Sequence, residues 1–116
     1  IASLSSSQTV KKQIFSVNLP NQLPKTFFLF QNYPNPFNPS TIIRYGVKGE
    51  KFVSLTVYDM KGRLIKTLVN NFENPGEKEI EWNGKNDFGA PLSSGMYFYK
   101  LKQGNDTKMK KMILLK

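Results

Sequence analysis

From Thr41 onward, apolar and polar residues alternate with a period of two, the signature of strands with one buried face. Thr41-Ile42-Ile43-Arg44-Tyr45 begins the series. Phe52-Val53-Ser54-Leu55-Thr56-Val57-Tyr58 places Val53, Leu55 and Val57 on one side. Asp59-Met60-Lys61-Gly62 predicts a turn with Gly62 at a positive-φ position, and Arg63 to Val69 the return strand. Asn70-Asn71 and Asn74-Pro75-Gly76 read as the next connection, Lys78 to Trp82 as a short strand, and Asn83 to Pro91 as a loop of turn formers. Met96-Tyr97-Phe98-Tyr99-Lys100-Leu101-Lys102 is the strongest strand, turned back through Gly104-Asn105-Asp106 into Thr107 to Leu115. Short strands at regular spacing, without helical periodicity, predict an all-β fold: an antiparallel Ig-like β-sandwich of about seven strands, with little or no helix.

The pattern changes upstream. Phe30 to Thr41 carries Pro34, Pro36 and Pro39 separated by Asn35 and Asn38, with Asn32 and Tyr33 ahead of them. Proline fixes φ and lacks a backbone donor, and the residue before it is pushed toward extended geometry. The sequence therefore predicts a stiff, extended arm that cannot join the middle of a sheet, with Phe37 packed and Tyr33 partly exposed. Residues 1–25 read as a linker or the tail of an upstream domain, with one strand over Val10 to Val17, and 26–116 as the sandwich. A start at Ile1 rather than methionine makes the chain read as a fragment.

Composition narrows the chemistry. At 116 residues the chain holds one modest core. It has no histidine and no cysteine. Ser-His-Asp and Cys-His nucleophile systems, imidazole or thiolate zinc sites and disulfides are thereby excluded. No apolar run approaches the roughly 18–20 residues of a transmembrane helix. The formal charge is +9, but arginine occurs only at Arg44 and Arg63. That lysine bias disfavours nucleic acid, where planar guanidinium contacts dominate, and leaves an anionic surface or acidic protein as partner.

Candidate sites are few. Glu79 and Glu81 share a strand face, but one strand offers no glycosidase cleft. The Asn83-to-Asp87 loop lacks the spacing of a calcium loop. Neither a catalytic residue nor a metal or cofactor site is expected. Trp82 is expected in the core; a glycan-binding module would instead need Trp82, Tyr33 or Tyr45 exposed in a row. A three-residue final turn sets Lys102 against Lys108 and Lys100 against Lys110, a basic patch of four lysines on one face with Tyr97, Tyr99, Leu101, Met109 and Ile113 on the other.

These motifs together resemble the C-terminal sorting domains of the type IX secretion system of Bacteroidetes. Leu29 to Thr41 resembles the family's opening motif, Val57-Tyr58-Asp59 with Gly62-Arg63 its central hairpin, and Leu92, Gly95, Tyr97 and Leu101 its Leu-x-x-Gly-x-Tyr-x-x-x-Leu motif. Lys111 to Lys116 is similar to its lysine-bearing final strand. The middle also resembles the Ig-like domain of flagellar hook-capping proteins. The resemblance implies a non-enzymatic sorting tag on an exported cargo, recognised in the periplasm and by an outer-membrane shuttle or translocon, and bound for the cell surface or secretion. It further implies cleavage by a sortase-like protease near Asn18 to Thr26 and a link to anionic lipopolysaccharide. On the same grounds Pro34, Asn35, Pro36, Gly95, Tyr97, Leu101, Lys111 and Lys116 are the expected translocon-recognition residues. The remaining alternatives are the glycan-binding module of a secreted hydrolase and a purely structural Ig-like module.

Overall fold

The computed structural model describes residues 27–116, so the strand expected over Val10 to Val17 lies outside the described residues. Seven strands follow one another: β1 (Phe28–Leu29), β2 (Thr41–Val47), β3 (Lys51–Tyr58), β4 (Leu64–Glu73), β5 (Gly76–Trp82), β6 (Gly95–Gln103) and β7 (Asp106–Leu114). They form a three-stranded sheet in the order β1-β2-β5 and a four-stranded sheet in the order β4-β3-β6-β7, with every pair antiparallel. There is no helix among the described residues. This is the expected sandwich.

The alternation does what the period predicts. Val53, Leu55 and Val57 of β3, Ile43, Tyr45 and Val47 of β2, Tyr97, Tyr99 and Leu101 of β6, and Met112 and Leu114 of β7 are buried between the sheets. Trp82 ends β5 inside this core, edge-on to Tyr97 at 6.3 Å and tilted against Phe37 at 5.7 Å. Burying such rings contributes about 1.5–3 kcal/mol each, in a fold that has no disulfide to help it.

Two boundaries differ from the sequence expectation. Asn70 and Asn71 belong to β4 rather than to a connection, opposite Ser54 and Val53. The ladder continues because Phe72 meets Phe52 edge-on at 5.4 Å, so cross-strand packing outweighs the turn preference of asparagine. The final turn has two residues, not three: Gln103 pairs with Asp106, leaving only Gly104 and Asn105 to turn the chain. Gly104 has φ +60°, a conformation that suits a two-residue hairpin with the native strand twist.

That one-residue shift corrects the lysine patch. Lys102 faces Thr107, Lys100 faces Met109, Leu101 faces Lys108 and Tyr99 faces Lys110. Side chains change face with every residue of register, so the four lysines divide between two faces. Lys100 and Lys102 lie on the outer face of the four-stranded sheet with Met109 and Ile113. Lys108 and Lys110 share the face of Met112 and Leu114, at the open mouth between the sheets.

Candidate functional site: the proline arm on the last strand

The arm between β1 and β2 is not an extended strut. Its Tyr33-Pro34, Asn35-Pro36 and Asn38-Pro39 bonds are cis, and residues 34–36 and 38–39 form bends. It is bent because both its ends and its middle are tied to the sandwich.

The first tie is polar and buried. Asn32 is 2% exposed. Its backbone N–H donates to the Tyr99 hydroxyl (2.8 Å), and that hydroxyl donates to the Phe30 carbonyl (2.8 Å). Its Nδ2 donates to Pro34 O (3.1 Å) and Thr41 Oγ1 (2.9 Å), while its Oδ1 accepts from Gln31 Nε2 (2.7 Å). Thr41 Oγ1 donates in turn to Pro34 O (2.8 Å). The network leaves no polar atom of the Asn32 side chain unmatched, which is the condition for burying an amide without loss. Burial pushes the Tyr99 phenol up to about 12.

The second tie is apolar. Phe37 inserts its ring beside Trp82 and is 2% exposed. Inserting it brings the arm's backbone alongside β7. The Phe37 N–H donates to Ile113 O and the Leu115 N–H donates to Phe37 O, both at 2.9 Å, in a parallel bridge. Side chains extend this seam: Ile113 N donates to Asn35 Oδ1 (2.9 Å) and Gln31 Nε2 to Lys111 O (2.7 Å). Prolines cannot donate to such an edge, so asparagine, glutamine and phenylalanine supply the pairing.

The third tie comes from the Asn83–Pro91 loop. Gly84 has φ +77°, and a Cβ there would meet Pro39 O at 3.1 Å with Leu114 just beyond. Only glycine lets the loop back this corner. Lys85 O accepts from Trp82 Nε1 (2.9 Å). The Asx oxygens of the loop all hold backbone amides: Asn83 that of Lys85, Asn86 those of Phe88 and Ala90, Asp87 that of Thr67. The loop is built as turns, and no group of three or more metal-type ligands occurs among the described residues.

The expected recognition residues fall into two sets. Pro34, Asn35, Pro36, Lys111 and Lys116 are exposed around the seam, together with Tyr33 at 80% and Leu115 at 51%. Tyr97 and Leu101 are buried, and Gly95 pairs with Leu114 at the foot of the seam, so these three hold the surface from beneath. Sequence reasoning missed Gln31, Asn32, Thr41 and Gly84 as parts of the site. The first three lie within the Leu29-to-Thr41 motif and Gly84 within the Asn83-to-Pro91 turn loop, but nothing local says which of those residues bond to the sandwich. Trp82 and Tyr45 are buried, so the exposed aromatic row a glycan platform needs is not formed.

Comparison with known proteins follows the same lines. The chain resembles part of dimeric latent PorU from Porphyromonas gingivalis, with 22% identity and TM-score 0.63 over 75% of this chain and 9% of that one. It also resembles part of PorZ, an essential surface component of the type IX secretion system of Porphyromonas gingivalis, with 21% identity and TM-score 0.57 over 76% of this chain and 11% of that one. These likenesses show the fold, and the chain spans only about a tenth of either protein. No curated protein sequence matches it. The family model for the secretion system C-terminal sorting domain matches residues 31–115, from the start of the arm to the end of β7 and its seam. The chain belongs to the secretion system C-terminal sorting domain family.

Proposed function

We propose that this domain directs a larger cargo, joined upstream of about residue 26, through the type IX outer-membrane translocon to the cell surface or beyond, and that it does so by being bound rather than by catalysis. One observation carries the reading: the two most specific motifs of the chain, the proline arm and the terminal strand, meet in space as one seam. A receptor that binds the seam reads both motifs at once and reads them only in the folded domain. A surface already ordered loses little entropy on binding. Lys111 and Lys116 add a positive rim that steers an anionic partner. A shuttle or translocon subunit is the proposed receptor. Sortase-like cleavage ahead of the arm and linkage of cargo to anionic lipopolysaccharide belong to the same proposal. The lack of histidine and cysteine, and the use of the loop's Asn86 and Asp87 oxygens to hold backbone amides, support a role by binding.

The test is export of a reporter carrying its own signal peptide and fused to residues 26–116, in a bacterium with a type IX system. The fusion is expected at the cell surface, and the same fusion without Lys111–Lys116 is expected to stay in the periplasm. Equal export of the two fusions refutes the reading, as does retention of both.

A further inference from the structure

We propose that the first half of β7 is a second docking site, which takes an extended acidic segment of another protein as an added strand. It lies apart from the arm seam and does not depend on the sorting reading.

The backbone accounts for the vacancy. With a two-residue turn, Gln103–Asp106, Leu101–Lys108, Tyr99–Lys110 and Tyr97–Met112 are the pairs that exchange hydrogen bonds. The backbone groups of Thr107, Met109, Lys111 and Ile113 therefore point away from β6, to the open side. The seam confirms this phase, because Ile113 N, Ile113 O and Lys111 O are the very groups that Asn35, Phe37 and Gln31 engage. Among the described residues no backbone group engages Thr107 or Met109. Among the described residues these two donors and two acceptors form an unpaired edge stretch.

The surroundings state what would fit. A groove of about 330 Å³ runs between Phe27–Phe30 on one side and Lys108–Lys110 on the other. The Lys108 ammonium sits 5.5 Å over the Phe27 ring, and the Arg44 guanidinium 5.1 Å over that of Phe30. A strand added to this edge turns alternate side chains toward Lys108 and Lys110, about 7 Å apart on one face. Its other side chains lie beside Met109, which is 55% exposed, on the outer face. Carboxylates on the first set and apolar groups on the second complete the match. A second copy of this chain does not fit: the whole chain carries +9, and two such edges would bring lysines against lysines. The same charges that protect the edge from its own kind select an acidic strand.

Binding of a synthetic peptide of alternating glutamate and valine to the whole 1–116 chain, followed by calorimetry or fluorescence anisotropy, tests the proposal. A lysine-valine peptide is the control. The acidic peptide is expected to bind, and to weaken at least about fivefold when salt rises from about 0.05 to about 0.5 M. Lys108→Glu with Lys110→Glu is expected to exchange the preference between the two peptides. Met109→Pro removes an outward N–H without breaking a bond to β6, and is expected to weaken binding about tenfold or more. N-methylation of alternate peptide residues tests the same backbone pairing without altering the protein, and is expected to abolish binding. Equal binding of the methylated peptide, or of anionic vesicles in its place with Met109→Pro unaffected, reduces the site to charge alone and overturns the proposal. Concentration-dependent dimers abolished by Met109→Pro overturn it in favour of self-pairing.

Discussion

The two halves of β7 are one strand under two regimes. From Lys111 to Leu114 its outer edge is engaged by Gln31, Asn35 and Phe37, its side chains Met112 and Leu114 are fully buried, and Gly84 backs the corner. From Asp106 to Met109 the same strand is exposed, with lysines at the mouth of a groove. At the opposite edge of the sheet, Asp87 covers β4 in a similar way: its N–H donates to Ile65 O and its carboxylate accepts from Thr67 N. Sheet edges here are closed by loops at chosen places, and the place left open carries positive charge. An edge needs either a cover or a charge to resist pairing with another edge, and this domain uses both on one strand.

The sharpest way to break the contrast is Phe37→Ala. Removing a buried ring beside Trp82 is expected to cost about 3–5 kcal/mol in chemical denaturation. Hydrogen exchange should then speed up at Leu115 and Ile113 while Met109 changes little. Uniform loss of protection along β7 would show that its two halves are not independent.

A somewhat smaller effect is expected from pH. The Tyr99 hydroxyl roots the arm, and its raised pKa means the folded state holds the proton more tightly than the unfolded one. The associated stability is complete below pH about 10 and is lost as pH rises toward 12, an expected fall of about 2 kcal/mol. Tyr45, raised by burial and by its hydrogen bond to Glu73, falls in the same direction. Tyr99→Phe should remove only its own share of that slope, measured by thermal unfolding between pH 9 and 12. An unchanged slope would mean that the arm's root does not titrate as its geometry requires.

The smallest expected effect is that of Asn35→Ala, which removes one exposed acceptor from Ile113 N. A loss of about 0.5–1.5 kcal/mol is expected, together with faster exchange at Ile113 alone. A change of the size seen for Phe37→Ala would shift the weight of the seam from the ring to the asparagine.

Much of the fold was legible along the chain. Val53, Leu55 and Val57 declare their face by alternation, Trp82 its burial by size, and Gly62 its turn. The arm was legible as a segment but not as a shape. Proline rules say what a backbone cannot do, whereas the bend of the arm follows from Asn32 and Phe37 finding partners 67 and 76 residues away, in Tyr99 and Ile113. The lysine pattern failed for a narrower reason. Three turn-forming residues in a row do not state how many of them turn, and a single residue of register decides the face of every side chain after it.

The sequence by itself determined the class of fold, the absence of histidine and cysteine chemistry, the positive charge and the motifs of a sorting domain. Those are properties of period, composition and local order, and they need no partner. Only the tertiary structure decided that the arm and the last strand are one surface, that Tyr97 and Leu101 support it from within, and that Lys108 and Lys110 stand at a groove rather than beside Lys100 and Lys102. Each of these depends on contacts between residues far apart in the chain, and packing selects such contacts among the many that local preference allows.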